Sequence, residues 1–280
     1  MAAIDLTRLN QQIDTLAELY QDPEAFQDEF HAILGFYHRY SHKQQQESMP
    51  KSFMRHYDLP EKVLPHLEAR LKYLSKAHPD EILRLVDQLW TDDYFETRDL
   101  STNLIGDIPI EYKEQVLELI DAWLEQPLDR AVIEAIFTKA TRNLLKEIPD
   151  EWKHLIDRLL VDGRSHQQKI GLEAMAYLVP KSSGDDLPAY FRWIRPFLIS
   201  QDQTLDNHLL KVVSALAKHS QQETAYLLRE VLADSDDAHI ASRIRRYLDF
   251  FEEETQKKLL VALKNQVLLS KNQTKNQGNS

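Results

Sequence analysis

Apolar residues recur along this chain at helical spacing from its first turns. Leu6, Leu9, Ile13, Leu16 and Leu19 would line one face of a helix over residues 5–20, and Phe26, Phe30, Leu34 and Tyr37 one over 22–41. Farther on, an apolar helix end followed by an acidic or polar break returns five times. It reads VDQLW-TDD, IDAWL-EQP, IDRLL-VDG, IRPFL-ISQ and REVLA-DSD, with anchors Trp90, Leu124, Leu160, Leu198 and Leu232. Positions 90, 124, 160, 198 and 232 are 34, 36, 38 and 34 apart. A period of this length predicts stacked helical pairs, because one pair cannot bury its apolar face without its neighbours.

The breaks divide each unit into two helices. The expected pairs are 94–106 with 110–124, 130–147 with 151–161, 166–179 with 187–199, 205–219 with 221–233, and 237–251 with 253–268. Pro109, Pro149 and Pro180 stand at the first three breaks, where a residue that cannot continue a helix is expected to end one or start the next. No alternating segment flanked by hairpin turn signals occurs. The predicted class is all-α, an α-solenoid of six or seven HEAT-like helical pairs wound as a right-handed superhelix. Residues 1–52 read as an N-terminal helical pair with a polar linker over 41–52, residues 53–270 as the repeat domain, and 271–280 as a polar, disordered tail.

Composition narrows the chemistry. The six glycines are scattered along 280 residues, so the Gly-rich loop that brings backbone N–H groups to a phosphate is missing, and no nucleotide cofactor is implied. Cysteine is absent, which removes disulfides, thiol nucleophiles and Cys-ligated metals. With neither a signal-peptide pattern nor an apolar run long enough for a membrane helix, the expectation is a soluble, cytoplasmic protein without a membrane partner. The net charge is −11. Residues 201–280 hold 11 basic and 11 acidic residues, so the first 200 carry the surplus, 34 acids against 23 bases. Proteins that neutralise phosphates usually show the opposite balance.

Two phrases carry a resemblance. The run Leu89-Trp90-Thr91-Asp92-Asp93-Tyr94-Phe95-Glu96-Thr97-Arg98-Asp99-Leu100, preceded by Tyr57-Asp58-Leu59-Pro60, is similar to the "LW, then E-x-R-x-L" phrase and entry motif of the DNA-alkylation-repair HEAT-like family, the alkylpurine DNA glycosylases. The run Leu209-Leu210-Lys211-Val212-Val213-Ser214-Ala215-Leu216-Ala217-Lys218 resembles the family's I-x-K-A-I-G-W-A-L-R phrase. The resemblance covers roughly 53–235 and implies a curved solenoid whose concave face holds DNA in active members. It also implies an acid, an Arg and aromatics at the excision site. The family's W-W-D-x-V-D phrase falls on Pro127-Leu128-Asp129-Arg130-Ala131-Val132. Asp129 matches the first acid, while Val132 stands where the chemistry needs the second and Leu128 stands for the adjacent Trp. Lys169 lies where the W-x-R-R segment belongs, with no Arg, and Ala215 replaces the Trp of the I-G-W phrase. A carboxylate there would offset positive charge forming on the sugar, and aromatic faces would hold a cationic base by about 0.5–2 kcal/mol each.

The remaining candidates have two readings each. Lys139, Arg142 and Lys146, at helical spacing, together with Lys169 and Lys211 on comparable first helices, form either a basic stripe for phosphates or an acidic partner, or a solvated face paired with Glu134, Glu147 and Asp150. Trp90 and Trp123 read as inter-repeat core. Trp152, and Trp193 flanked by Arg192 and Arg195, are the candidates for surface contact. His31, His38 and His42 share a helical face, but no second-helix ligand accompanies them, so they read as solvent-facing or capping rather than as a metal site. The expected function is a non-catalytic scaffold for a protein or duplex-DNA partner, without a metal or cofactor. The alternative is a divergent glycosylase that would use Asp129.

Overall fold

The computed structural model describes residues 5–41, 54–235 and 237–277. They are all-α: fifteen helices and no strand among the described residues, with one isolated bridge between Arg55 and Tyr94. Among them no helix is long and apolar enough to cross a membrane. The chain divides into two compact units, residues 1–154 and 155–280. The expected linker over 41–52 lies, apart from Ser41, outside the described residues.

The first unit holds α1 (Leu6–Glu18), α2 (Pro23–Ser41), α3 (Val63–Ala77), α4 (Pro79–Trp90), α5 (Phe95–Ile105), α6 (Lys113–Leu124), α7 (Arg130–Ala135) and α8 (Arg142–Glu147). Asp5 caps α1 by accepting from the Thr7 and Arg8 amides, and Pro79 starts α4, where a missing N–H costs nothing. First helices pack in succession, α1 on α3, α3 on α5, α5 on α7. Second helices do the same, α2 on α4 and α4 on α6. Trp90 and Trp123 stack face to face across α4 and α6, with centroids 3.9 Å apart and planes 8° from parallel, and both are buried.

Helix α9 (Pro149–Asp157) spans the division. The second unit continues with α10 (Ser165–Leu178), α11 (Leu187–Ile199), α12 (Asp206–His219), α13 (Gln221–Ala233), α14 (Ala238–Arg245) and α15 (Glu253–Gln277). Here α10 packs on α12, α11 on α13, and α13 on α15. The anchors Leu160, Leu198 and Leu232 are all buried. Helix α15 carries helical backbone into the segment read from sequence as a tail.

Two details depart from the expected helices. The helix foreseen over 130–147 is interrupted by a π-helical segment, Ile136–Ala140, and α9 runs into another, Arg158–Asp162. A π-turn admits one extra residue, which the spacing of Ile133, Ile136 and Ala140 does not betray. Helix α5 is polar in sequence yet almost wholly enclosed, with Glu96, Thr97, Asp99, Ser101 and Thr102 buried between α3, α4 and α7. Ser101 and Thr102 meet their burial by donating back to the Thr97 and Asp99 carbonyls.

Candidate functional site

The first helices of the expected pairs carry charged groups that meet 35 to 40 positions apart in the chain. In the first unit, Lys139 Nζ lies 2.8 Å from Glu68 Oε1 and 2.7 Å from Asp99 Oδ2, which brings α3, α5 and the π-helical segment together. Arg142 bonds the Asp107 carboxylate and the Asn103 carbonyl, and Lys72 reaches Asp107 at 3.2 Å. The Lys139 carbonyl presses on the end of α5 at Gly106, where a Cβ would lie 2.0 Å from it. Within the second unit, Lys211 and His208 of α12 bond Glu173 of α10, and Arg243 of α14 bonds Asp206 at 2.8 Å. The sequence separations of these contacts are 40 for Lys139–Asp99, 35 for Arg142–Asp107, 38 for Lys211–Glu173 and 37 for Arg243–Asp206. They track the period of the apolar anchors.

Burial opposes charge at each of these groups, and the partners decide the outcome. At Lys139 burial favours the neutral amine, but Asp99 and Glu68 outweigh it and raise its pKa. At Glu173 burial is overcome by His208 and Lys211, which hold the carboxyl low. At Arg142 burial prevails and lowers the guanidinium from its usual value.

The five cations of the expected stripe therefore do not form one solvated row. Lys139 and Arg142 turn to buried carboxylates, and the π-helical segment between 136 and 140 breaks the i, i+3, i+7 register that placed Lys146 on their face. Lys146 has 78% of its side chain exposed and pairs with its neighbour Glu147. Lys169 and Lys211 belong to the second unit. Lys211 is engaged by Glu173, and Lys169 is half-buried on α10. Trp193, expected as a surface platform, is 4% exposed and donates its indole N–H to Asp157 at 2.6 Å. Arg195 pairs with Glu230 and Asp234 of α13. The Trp152 side chain is outside the described residues.

The positions singled out by the family phrase lie just before α7, on α7 and on α12. Asp129 caps α7, its carboxylate accepting from the Ala131 amide at 3.0 Å. Val132 is 1% exposed, Leu128 is half-buried, and Ala215 is 9% exposed on α12.

Sequence reasoning missed a polar cluster built around Tyr57. His31 of α2 lies between Asp92, 2.5 Å from Nε2, and the Tyr57 hydroxyl, 2.7 Å from Nδ1. With the Nε2 proton directed at the carboxylate, Nδ1 accepts from the phenol. Gln27 and the Tyr94 amide also donate to Asp92, and Tyr57 stacks on Tyr94 at 4.4 Å. Glu96 accepts from the Tyr57 amide, while His38 bonds the Tyr57 carbonyl. Burial would raise the Asp92 carboxyl, but the Tyr94 amide, Gln27 and His31 together hold it below the usual range. Burial, then Tyr94, Asp92 and Glu96, push the Tyr57 phenol up to about 12, so it stays protonated as a donor and is no nucleophile. His31 and His38 thus fasten the segment around Tyr57 to α2, rather than facing solvent or capping a helix; His42 is outside the described residues. The signal was present: Tyr57 lies in the entry motif and Asp92, Tyr94 and Glu96 in the first of the two phrases that carry the resemblance, and their contacts lock the entry segment to the turn between α4 and α5.

No curated protein and no solved structure matches the chain. A family model described as DNA alkylation repair enzyme matches residues 33–204, more than half the chain, and takes in Tyr57, Asp92, Tyr94 and Glu96 together with Glu68, Asp99, Asp107, Lys139 and Arg142; the chain accordingly belongs to the DNA alkylation repair enzyme family.

Proposed function

We propose that this chain is a cytoplasmic, HEAT-like α-solenoid that acts as a non-catalytic binding scaffold and does not excise alkylated bases. The observation that carries the reading is the identity of the residues at the excision positions. A buried Val132 stands for the acid, Ala215 for the aromatic, and Asp129, which matches the family phrase's first acid, caps α7. Loss of a preorganised charge-stabilising group costs on the order of 100–1,000-fold in rate, and several are replaced at once. The partner favoured is a protein rather than duplex DNA. Lys139, Arg142 and Lys211, which a phosphate backbone would need, already neutralise carboxylates within the fold.

The family match itself favours a second reading, a divergent glycosylase. Release of 7-methylguanine or 3-methyladenine from methylated duplex separates the two. The scaffold reading expects release equal to a no-enzyme control. Excision above control would overturn it and point to Asp129 as the acid. Asp129→Asn is then the informative variant: asparagine caps a helix about as well as aspartate, so α7 would persist while the charge is lost.

A further inference from the structure

Glu68, Asp99 and Lys139 place two carboxylates on one ammonium. Their side chains are 10%, 5% and 30% exposed, so the acids are the enclosed members. Each carboxylate belongs to a different first helix, Glu68 to α3 and Asp99 to α5, and Lys139 reaches both from the π-helical segment. Gly106 makes that reach possible, because any side chain at the end of α5 would collide with the Lys139 carbonyl. Two buried like charges that share one counter-ion cannot both ionise without cost.

We propose that these three side chains form a proton-sensitive joint in the first unit: Glu68 holds a proton against Asp99 and gives it up as pH rises, loosening the grip of α3 on α5 and the π-helical segment. Burial, followed by Asp99, pushes the Glu68 carboxyl up to about 7, against the opposing pull of Lys139. Lys139 keeps its charge throughout, since Asp99 and Glu68 outweigh its burial and raise its pKa. Arg142 adds positive charge from α8 and is held by Asp107 together with Lys72. On the α1 side of α3 stand Asp14 and Arg70, paired with each other, and His66, bound to Asn10. Helix α4 brings Asp80, Glu81, Arg84 and Asp87, of which Glu81 and Arg84 pair.

The sign follows from linkage. A carboxyl whose folded pKa lies above its unfolded value, about 4.3 for a free glutamate, contributes stability that is full below the unfolded pKa. That contribution is lost as pH rises through the folded value near 7. Lys139 is lost only at far more alkaline pH and does not enter this window.

The test uses the full chain labelled with carboxyl-13C glutamate, with the Glu68 resonance assigned through bonds to its backbone. The proposal expects a Glu68 titration midpoint near 7; a midpoint in the ordinary glutamate range would overturn it. In parallel, the thermal midpoint is followed from pH 5 to pH 8 for the unsubstituted protein and Glu68→Gln. The unsubstituted protein should lose ground steadily to the variant as pH rises, whereas two parallel profiles would overturn the joint. Every group other than residue 68 is common to both proteins, so the comparison isolates Glu68. Should Glu68→Gln not fold, the carboxyl titration of the unsubstituted chain decides alone.

Discussion

Arg243 sits on α14 with 1% of its side chain exposed. Its guanidinium bonds Asp206 and the carbonyls of Leu198 and Ser200, so a full charge is buried with its donors matched. Removing one partner of such a pair leaves the other buried and unpaired, which costs about 3–5 kcal/mol. Arg243→Ala should therefore lower the unfolding free energy by that order in a denaturant titration. Arg243→Lys should fail to restore it, because an ammonium cannot reproduce the fork. A loss below about 1 kcal/mol would show that Asp206 and the carbonyls find other partners. Asp92 makes the opposite use of charge, with a folded pKa held low by Tyr94, Gln27 and His31 against burial. A depressed carboxyl contributes stability present above its unfolded pKa of about 3.9 and lost as pH falls through the folded value. Asp92→Asn should flatten the acid limb of the stability profile, and an unchanged limb would place the acid sensitivity elsewhere. Neither residue is legible as a partner from sequence alone. Arg243 looks like an ordinary helix cation, and the contact of His31 with Asp92 spans 61 positions.

At the scale of elements, the apolar spacing and the proline breaks predicted most of the helices to within a few residues. The five anchors are all buried, as helix ends facing the next pair should be. Gly171 of α10 packs so closely on Leu160 that a Cβ there would lie 2.7 Å from Leu160 Cδ2. Leu160→Ala should open a cavity at this contact and cost about 2–5 kcal/mol, measured by denaturant unfolding. A cost under about 1 kcal/mol would remove position 160 from the core. What the pattern did not give is equally physical. A π-turn keeps apolar residues pointing inward while slipping the register by one, so 130–147 reads as a single helix until the backbone is seen. The enclosure of the polar helix α5 is not legible in its own sequence, because Ser101 and Thr102 donate to carbonyls within the helix and Asp99 accepts from Lys139, 40 positions away. Gly106 records the closest approach between these elements, and Gly106→Ala should cost about 1–3 kcal/mol, because the Lys139 carbonyl must shift to admit the methyl group. A neutral Gly106→Ala would mean that the π-helical segment moves freely.

For the whole molecule, charge balance and the family phrase pull in different directions, and the ion pairs set what a binding titration should show. The first 200 residues hold the whole surplus of −11. Sequence could place Lys139, Arg142, Lys146, Lys169 and Lys211 on first helices, but not say whether they faced solvent, because the partners of Lys139, Arg142 and Lys211 lie 35 or more positions away. Three of the five are engaged by buried carboxylates, and the five are divided between the two units. Each phosphate contact lowers log K by roughly 0.9 per decade of salt, so a five-cation groove would give a slope near −4.5. With Lys139, Arg142 and Lys211 occupied, duplex binding should be weak, with a slope no steeper than about −2. Lys146, exposed beside Glu147, can contact a phosphate without breaking a buried pair. Lys146→Glu should leave the thermal midpoint unchanged and flatten the slope by about one contact at most. The check is a titration of fluorescent duplex across 50–200 mM salt. A slope near −4.5 in the unsubstituted chain would mean that DNA draws Lys139, Arg142 and Lys211 away from Glu68, Asp99, Asp107 and Glu173, and the preference for a protein partner would fall with it.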